Sequence, residues 1–596
     1  MADDWGGGAG ESGPNVTNGS PKGVLTPIKD MFPPLAPVRS AVARVPIPGR
    51  RARSSASPTD TASTSDTDSP TDTDSSTDTR STAKDGLANQ IEAFVTTHGT
   101  PIWQLVQSVP PVRRAVNAGL TNLAILKFPT RPNPVSTMAD YTSWASLTDR
   151  TFDSRHLPAA TAVAPKLPAV EEFEELFTRG EFIESPKSTV LFSYFAQWFT
   201  DGFLRSDRAT PPDPRKNQSN HEIDLTNLYG LTPDIARQLR TLEGGLLKSQ
   251  QINGEEFPPY LCENGVIKPE FSLITVVRFE QQSVETRDRL FAMGSDTSNL
   301  QVGFVAHNVL FLREHNRIAR LLGDAYPSWD DERLFATARN IMTVLLMKVV
   351  IEDYINHITP TIFEISLEPR SFPNERWYRQ NWMAIEFNLL YRWHSLVPPS
   401  YEIGGKSVPI NDTLYNTEIP TTYGLGALFE DASLQTAGQV GLRNTPPELW
   451  YVEALSIQTA RAVQLRSYND YRHLSRTPRV TDFDQITGDV TVREQLRRLY
   501  GSVDEIEFYV GLFAEPVQKN GVLPGLIGRM VALDAFSQVY TNPLLAPRIY
   551  NEATFSPLGM EIINSTRTLS QIVNRNVPAR PGGYYVSLTR RDWKRS

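Results

Sequence analysis

Histidine is the informative residue for chemistry in this chain: there are eight, scattered, with no HExxH pair, no cluster and no cysteine neighbour to share a metal. A lone histidine in a helical protein is usually a surface residue or a hydrogen-bonded core residue, and seven of the eight take that reading. His394 differs. In EFNLLYRWHSLVPP, Tyr391 precedes it by one helical turn and Trp393 adjoins it. If His394 ligated a haem iron, a helical offset would project the Tyr391 phenol from nearly the same face, within reach of electron exchange with an oxidised macrocycle. Spacing alone leaves the ordinary reading open, a core histidine beside a core phenol.

The elements that must hold such a pair read as helices. TSNLQVGFVAHNVLFLREHNRIARLLG, DDERLFATARNIMTVLLMKVVIEDYINHI and RQNWMAIEFNLLYRWHSL carry apolar residues at helical spacing, with Asp or Pro near their starts for capping. Alternating strand patterns are sparse, so the fold class is mainly α. Upstream, LANQIEAFVTTHG, TPIWQLVQSVPP, VRRAVNAG and LTNLAILKF predict four short amphipathic helices with Ile91, Phe94, Trp103, Leu105, Val106, Leu123, Ile125 and Leu126 for a greasy side. Helices this short need a surface to rest on, either the protein core or a lipid interface.

Composition excludes several classes. The formal charge of −8 over 596 residues is mixed in sign with no basic stripe, so nucleic acid is not an expected partner. The single Cys262 allows no intramolecular disulfide and no CxxC site, which suits a reducing compartment. The start, MADDWGGGAGESGPNV, lacks the basic and apolar runs of a secretory signal, and no uninterrupted apolar stretch is long enough to span a bilayer. The expectation is a cytoplasmic protein, peripheral at most on one membrane leaflet. Residues 1–85 are rich in Gly, Pro, Ser, Thr and Asp and predict a disordered tail. The organisation read from the sequence is thus tail 1–85, amphipathic segment 86–128 and catalytic domain 129–596.

The runs FLREHNRIARLL, VVIEDYI and EFNLLYRWHSLVPP, in that order, resemble the cyclooxygenases (prostaglandin H synthases) within the animal-type haem peroxidase superfamily. The likeness extends through SYFAQWFT, IDLTNLYG, YNDYR, LYGSVDEIEFYVGLF and MEIIN, over roughly residues 88–575. It implies a helical peroxidase fold, a b-type haem with His394 as proximal ligand, and Tyr391 as the radical former. In that family peroxide oxidises the haem, the haem oxidises the tyrosine, and the tyrosyl radical takes a hydrogen atom from an unsaturated acyl chain to which molecular oxygen adds. The resemblance places Tyr354 as a hydrogen-bond partner of Tyr391 and Tyr509 as an oxidisable phenol on the proximal side. It also puts the segment 86–128 on a membrane surface and implies a homodimer.

Two regions depart from the family pattern. Gln197 matches the distal glutamine, but Asp201 stands where the distal histidine is expected and Trp198 replaces a second histidine. The distal imidazole shuttles the peroxide proton, and a carboxyl group could do so only if burial kept it neutral, so peroxidase turnover is expected to be weakened. At the substrate end, Ala124 and Thr361 stand at the positions that bind a fatty-acid carboxylate; Lys127, one turn from Ala124, is the alternative cation, with Trp393 and Tyr354 lining the channel. Ser537 is not assigned the family's serine role. The reading is a haem-dependent fatty-acid dioxygenase, either cyclooxygenase-like or hydroperoxide-forming. The alternative is a catalytically weak, membrane-associated haem sensor or binding protein.

Overall fold

The computed structural model describes residues 100–129, 135–139, 141–160, 167–207 and 212–595. The tail, most of the first amphipathic stretch and the side chain of Leu105 lie outside the described residues. The elements that position the site are mainly helical, as expected. They are α1 (Thr100–Ser108), α2 (Pro110–Leu126), β1 (Glu184–Thr189), α3 (Val190–Asp201), α4 (Val302–Ala325), α5 (Asp331–Val349), α6 (Ile385–Leu390), β2 (Thr436–Gly438), α7 (Trp450–Ala462), α8 (Phe508–Ala514) and α9 (Gly525–Tyr540). The strands among the described residues form only two-stranded pairs, of which β1–β2 is antiparallel.

The core is built around α4 and α5. Gln301 caps α4 by accepting from the amides of Gly303 and Phe304 at 2.7 and 3.1 Å, and Asp330 caps α5 through Arg333 at 2.8 Å. Their apolar rows pack on each other, and α4 also packs on α3. Gly303 permits that approach, because a Cβ there would lie 2.2 Å from the Tyr194 ring. Beyond α5 the helix widens into a π-turn over Val350–Ile355 that carries Tyr354. Such turns cost helical hydrogen-bond geometry and recur at functional sites. The continuous stretch Asp331–Ile358 is long and apolar enough to cross a membrane, but its most apolar window is 83% buried inside the protein, which makes it a core helix.

Two sequence expectations are corrected. VRRAVNAG and LTNLAILKF form one helix, α2, because Gly119 is accommodated within it without a break. EFNLLYRWHSL does not form one helix: α6 stops at Leu390, Tyr391 and Trp393 leave helical geometry, and His394 opens a short 3-10 turn, His394–Leu396.

Candidate active site

The break after α6 is imposed by neighbours rather than by a proline or glycine within the run. β2 lies so close to the 3-10 turn that a Cβ on Gly438 would sit 1.9 Å from the carbonyl oxygen of Ser395. Asn444 donates to that same carbonyl at 3.2 Å, and Arg179 donates to the carbonyl of Val397. The Tyr391–His394 pair is therefore held on a braced turn rather than one helical face.

Nδ1 of His394 lies 3.0 Å from Oε1 of Glu453 on α7. Glu453 is buried, and that same oxygen accepts from Thr445 at 2.9 Å while its other oxygen accepts the Tyr509 phenol from α8. A carboxylate can only accept here, so the proton sits on Nδ1 and Nε2 is left as the metal-binding nitrogen. Tyr509, expected near a cofactor, instead reaches His394 through Glu453. Sequence reasoning missed Glu453 and Thr445.

Tyr391 is enclosed by aromatic rings. Its centroid lies 5.1 Å from Phe387 and 4.8 Å from Trp393, and Trp393 stacks on Phe192 at 5.9 Å. Phe192, Phe195 and Phe199 form one face of α3 and surround Tyr354 at 5.4, 5.4 and 6.0 Å. The phenol oxygens of Tyr391 and Tyr354 are both buried and face one another closely enough to influence each other's ionisation. A side-chain hydrogen bond between Tyr354 and Tyr391 raises the first phenol and lowers the second. Burial pushes both phenols above their ordinary range, with Asp534 adding to the effect on Tyr391, so both stay protonated at physiological pH.

The opposite face of α3 carries the distal candidates. Gln197 is exposed on a helix with nine of its twelve residues buried, and Asp201 follows one turn later. Asp201 Oδ2 accepts from Nη1 of Arg205 at 3.1 Å, from Ser295 at 3.4 Å and from Thr297 at closer range. Arg205, 2% exposed in its side chain, also pairs with Asp296. Asp201 therefore ties α3 to the 295–297 loop, with three donors gathered on its Oδ2. The Arg392 guanidinium is pulled down by burial and lies within the fields of Tyr509, Glu453 and Asp201, so the His394 side and the α3 side approach one another around it.

At the substrate end, Thr361 is occupied in its own turn, donating to the carbonyl of Phe363 at 3.1 Å. Lys127 follows the last turn of α2 and is half-buried, and Ala124 packs against the core. Trp393, expected in a channel wall, lies between Tyr391 and Phe192, its Nε1 buried without a hydrogen bond. Ser537 is buried in α9 and donates back to the carbonyl of Asp534 at 3.2 Å.

Residues 183–581 match the animal haem peroxidase family. The chain belongs to that family. As a family member it is a haem-dependent oxidoreductase, and its likeness to cyclooxygenases is equally direct. It is 31% identical over 501 residues to prostaglandin G/H synthase 2 of Equus caballus, covering 82% of this chain and 81% of that protein. It is 31% identical over 518 residues to prostaglandin G/H synthase 1 of Rattus norvegicus, covering 83% and 81%. Among solved structures, the fatty acid alpha-dioxygenase of Oryza sativa with palmitic acid shares the fold at a TM-score of 0.63 and 17% identity, over 83% of this chain and 94% of that one. Peroxidase A of Dictyostelium discoideum aligns at a TM-score of 0.55 and 19% identity, over 74% and 94%.

Proposed function

We propose that the protein is a haem-dependent dioxygenase of unsaturated long-chain fatty acids, with His394 as the proximal ligand of a b-type haem and Tyr391 as the hydrogen-abstracting residue. The observation that carries this reading is the pairing on one braced turn of an imidazole oriented by a buried carboxylate with a buried, protonated phenol. The residues suit the group: a histidine with Nδ1 on Glu453 presents Nε2 to a metal, and the exposed Gln197 faces out of an otherwise buried helix. Bound haem supplies one-electron oxidation driven by peroxide.

Glu453 fixes the tautomer and rotation of His394, and Thr445 and Tyr509 fix Glu453. Once oxidised by one electron with loss of its phenolic proton, Tyr391 as a radical takes a hydrogen atom from an allylic carbon; molecular oxygen adds to the carbon radical, and the resulting peroxyl radical takes a hydrogen atom back from Tyr391, which restores the tyrosyl radical. Phe387 and Trp393 exclude water from the phenol. Because Asp201 is held by Arg205, Thr297 and Ser295, proton transfer to peroxide lacks the usual base, and we assign the protein slow peroxidase turnover. The same feature favours a second reading, a catalytically weak haem sensor or binding protein.

Membrane contact through α1 and α2 is supported by exposed Val109, Val112 and Leu126, while Asn117, Thr121 and Ile125 pack α2 inward. A cytoplasmic location, peripheral on one leaflet, and a homodimer belong to the same proposal. Oxygen uptake by the haem-loaded protein with linoleate or arachidonate tests the reading. Uptake with product formation separates an enzyme from a sensor, and product mass separates an endoperoxide from a simple hydroperoxide.

A further inference from the structure

Glu453, which orients His394, is also the inner end of a row of contacts that the reading above does not use. Its Oε2 accepts the phenol of Tyr509, on α8. The Tyr509 ring stacks on Phe177, with centroids 5.9 Å apart and planes 12° from parallel. Phe177 in turn lies 6.2 Å, centroid to centroid, from Trp450, the first residue of α7. Tyr509 and Phe177 are buried, whereas Trp450 is partly exposed. Because Glu453 stands one turn after Trp450 on the same helix, α7 fixes both ends of the row, and α8 packs against it. The surface around the outer end is acidic. Phe177 closes the helical turn Glu174–Phe177, and α7 packs on that turn and on the one before it, Val170–Phe173. Glu171, Glu172, Glu174 and Glu175 are exposed there, and Glu448 lies two residues before Trp450. The cations that face them, Arg498 at 3.7 Å from Glu175 and Arg179 in the field of Glu448, are outnumbered, and Arg461 is taken up by Glu507 at 2.6 Å.

We propose that Trp450 is a surface electron-entry site, at which a cationic aromatic amine outside the protein gives up one electron that passes through Phe177 and Tyr509 to the oxidised haem bound at His394. This rests on the haem assignment and is independent of the fatty-acid chemistry. Indole and phenol are the side chains most readily oxidised by one electron, and a phenylalanine ring is not, so Phe177 acts as the bridge between two stations. Each station suits its surroundings. Tyr509 loses an electron without leaving a buried cation, because its proton shifts along the existing hydrogen bond to Oε2 of Glu453 and returns when the electron from Trp450 arrives. Trp450 holds the resulting positive charge at the surface, where water and the neighbouring carboxylates stabilise it until the amine refills the indole. The same carboxylates raise the local concentration of a cationic donor. The electrons balance: two amine molecules lose one electron each, and one hydroperoxide takes both electrons with two protons, its O–O bond breaking to give an alcohol and water.

The test treats the haem-loaded full chain with ethyl hydroperoxide and a nitroso spin trap, then maps the adducts by digestion and mass spectrometry. Trp450 should carry an adduct, and a haem-replete Tyr509→Phe variant should lose it. Chlorpromazine, a cationic phenothiazine whose radical is coloured, should suppress the adduct by refilling Trp450. Its oxidation should fall with added salt, whereas that of anionic ferrocyanide should not. Trp450→Phe should lose most of the chlorpromazine oxidation and keep both the haem spectrum and oxygen uptake with linoleate, which starts at Tyr391. Adducts confined to other residues, or unchanged chlorpromazine oxidation in Trp450→Phe, overturn the entry site and leave the haem assignment standing. A Trp450 adduct that persists in haem-replete Tyr509→Phe overturns the route. If Tyr509→Phe does not hold haem, the adduct map of the unmodified chain and the Trp450→Phe variant still decide. Failure of the unmodified chain to take up haem removes the haem assignment and this inference together.

Discussion

Glu453 accepts the Nδ1 proton of His394 at 3.0 Å and so couples the turn that carries Tyr391 to a helix 59 residues further along the chain. The carboxylate is buried and also engaged by Thr445 and Tyr509, so it cannot swing away from the imidazole. Glu453→Gln keeps the size of the side chain but removes the charge. Partners of this kind are worth about 10–100-fold in metal affinity or activity. Haem titration of the variant should show weaker binding by that order, and the reduction potential should rise as the imidazole loses its anionic partner. Equal affinity and equal potential would show that Glu453 only fills space.

Tyr391→Phe deletes a buried hydroxyl that faces the Tyr354 phenol. A single neutral hydrogen bond is worth about 0.5–1.5 kcal/mol net, so its removal should lower stability by no more than that and leave the fold intact. Haem binding should be unchanged while oxygen uptake with linoleate is lost. Thermal unfolding together with an oxygen electrode checks both halves, and residual uptake at the normal rate would remove Tyr391 from the chemistry.

His394 and Tyr391 stood out as candidates through the run EFNLLYRWHSLVPP that resembles the cyclooxygenases, their spacing alone leaving the ordinary reading open, and the mainly helical fold was legible because its long helices keep an apolar spacing of three to four residues. The break at Tyr391 was not, since EFNLLYRWHSL keeps that spacing throughout; what ends the helix is the approach of Gly438 to Ser395 and of Arg179 to Val397. Glu453 was illegible for a related reason. A single glutamate in WYVEALSI looks like any helical surface residue until tertiary packing buries it against His394. Asp201 was noticed as a departure; Arg205 is its partner four residues on, but Ser295 and Thr297 come from a loop 94 to 96 residues away, which no local pattern announces.

Buried carboxyl groups give the stability a recognisable pH signature. Burial pushes Asp153 up to about 8, with Asn217 opposing and Glu386 adding. Its folded value thus lies above its unfolded one, near 4. The folded state then binds the extra proton between about pH 4 and 8, and stability from this group falls as pH rises through that window. Asp153→Asn should flatten the dependence, gaining up to about 1.4 kcal/mol per pH unit over the unmodified protein as pH rises from 5 toward 8. Denaturant midpoints at several pH values measure it; parallel curves would mean that Asp153 does not titrate with folding.

Trp103 makes an edge contact with Phe363 at 5.7 Å, so a charge there would disturb the core. Val109 and Val112 are 41% and 43% exposed and offer a cleaner test of the membrane. Val109→Glu with Val112→Glu should move the protein from vesicles to the supernatant in flotation assays while haem content is kept. Vesicle binding that survives both charges would place the lipid contact elsewhere.

Asp201 sets the strongest constraint on activation. Its carboxylate is held by Arg205 at 3.1 Å and by Thr297 and Ser295, and Arg205 is nearly inaccessible to solvent. Asp201→His therefore does two things at once. It supplies an imidazole that can carry the peroxide proton, which is worth typically 10²–10⁴-fold where general acid–base catalysis operates. It also leaves Arg205 with Asp296 as its remaining carboxylate partner. Breaking one arm of a largely buried ion pair should cost roughly 1–3 kcal/mol, less than the loss of a fully isolated pair because Asp296 remains. The expected outcome is a less stable protein with faster peroxidase turnover and a shorter lag before oxygen uptake, while steady-state oxygenation changes much less, since Tyr391 sustains that step. Asp201→Asn serves as the control, because it weakens the Arg205 pair without adding a base. If the asparagine variant accelerates peroxidase turnover as much as the histidine variant, the gain comes from loosening the 295–297 loop. If neither variant changes the rate, or if the unmodified protein already turns over peroxide rapidly at neutral pH, Asp201 does not limit activation.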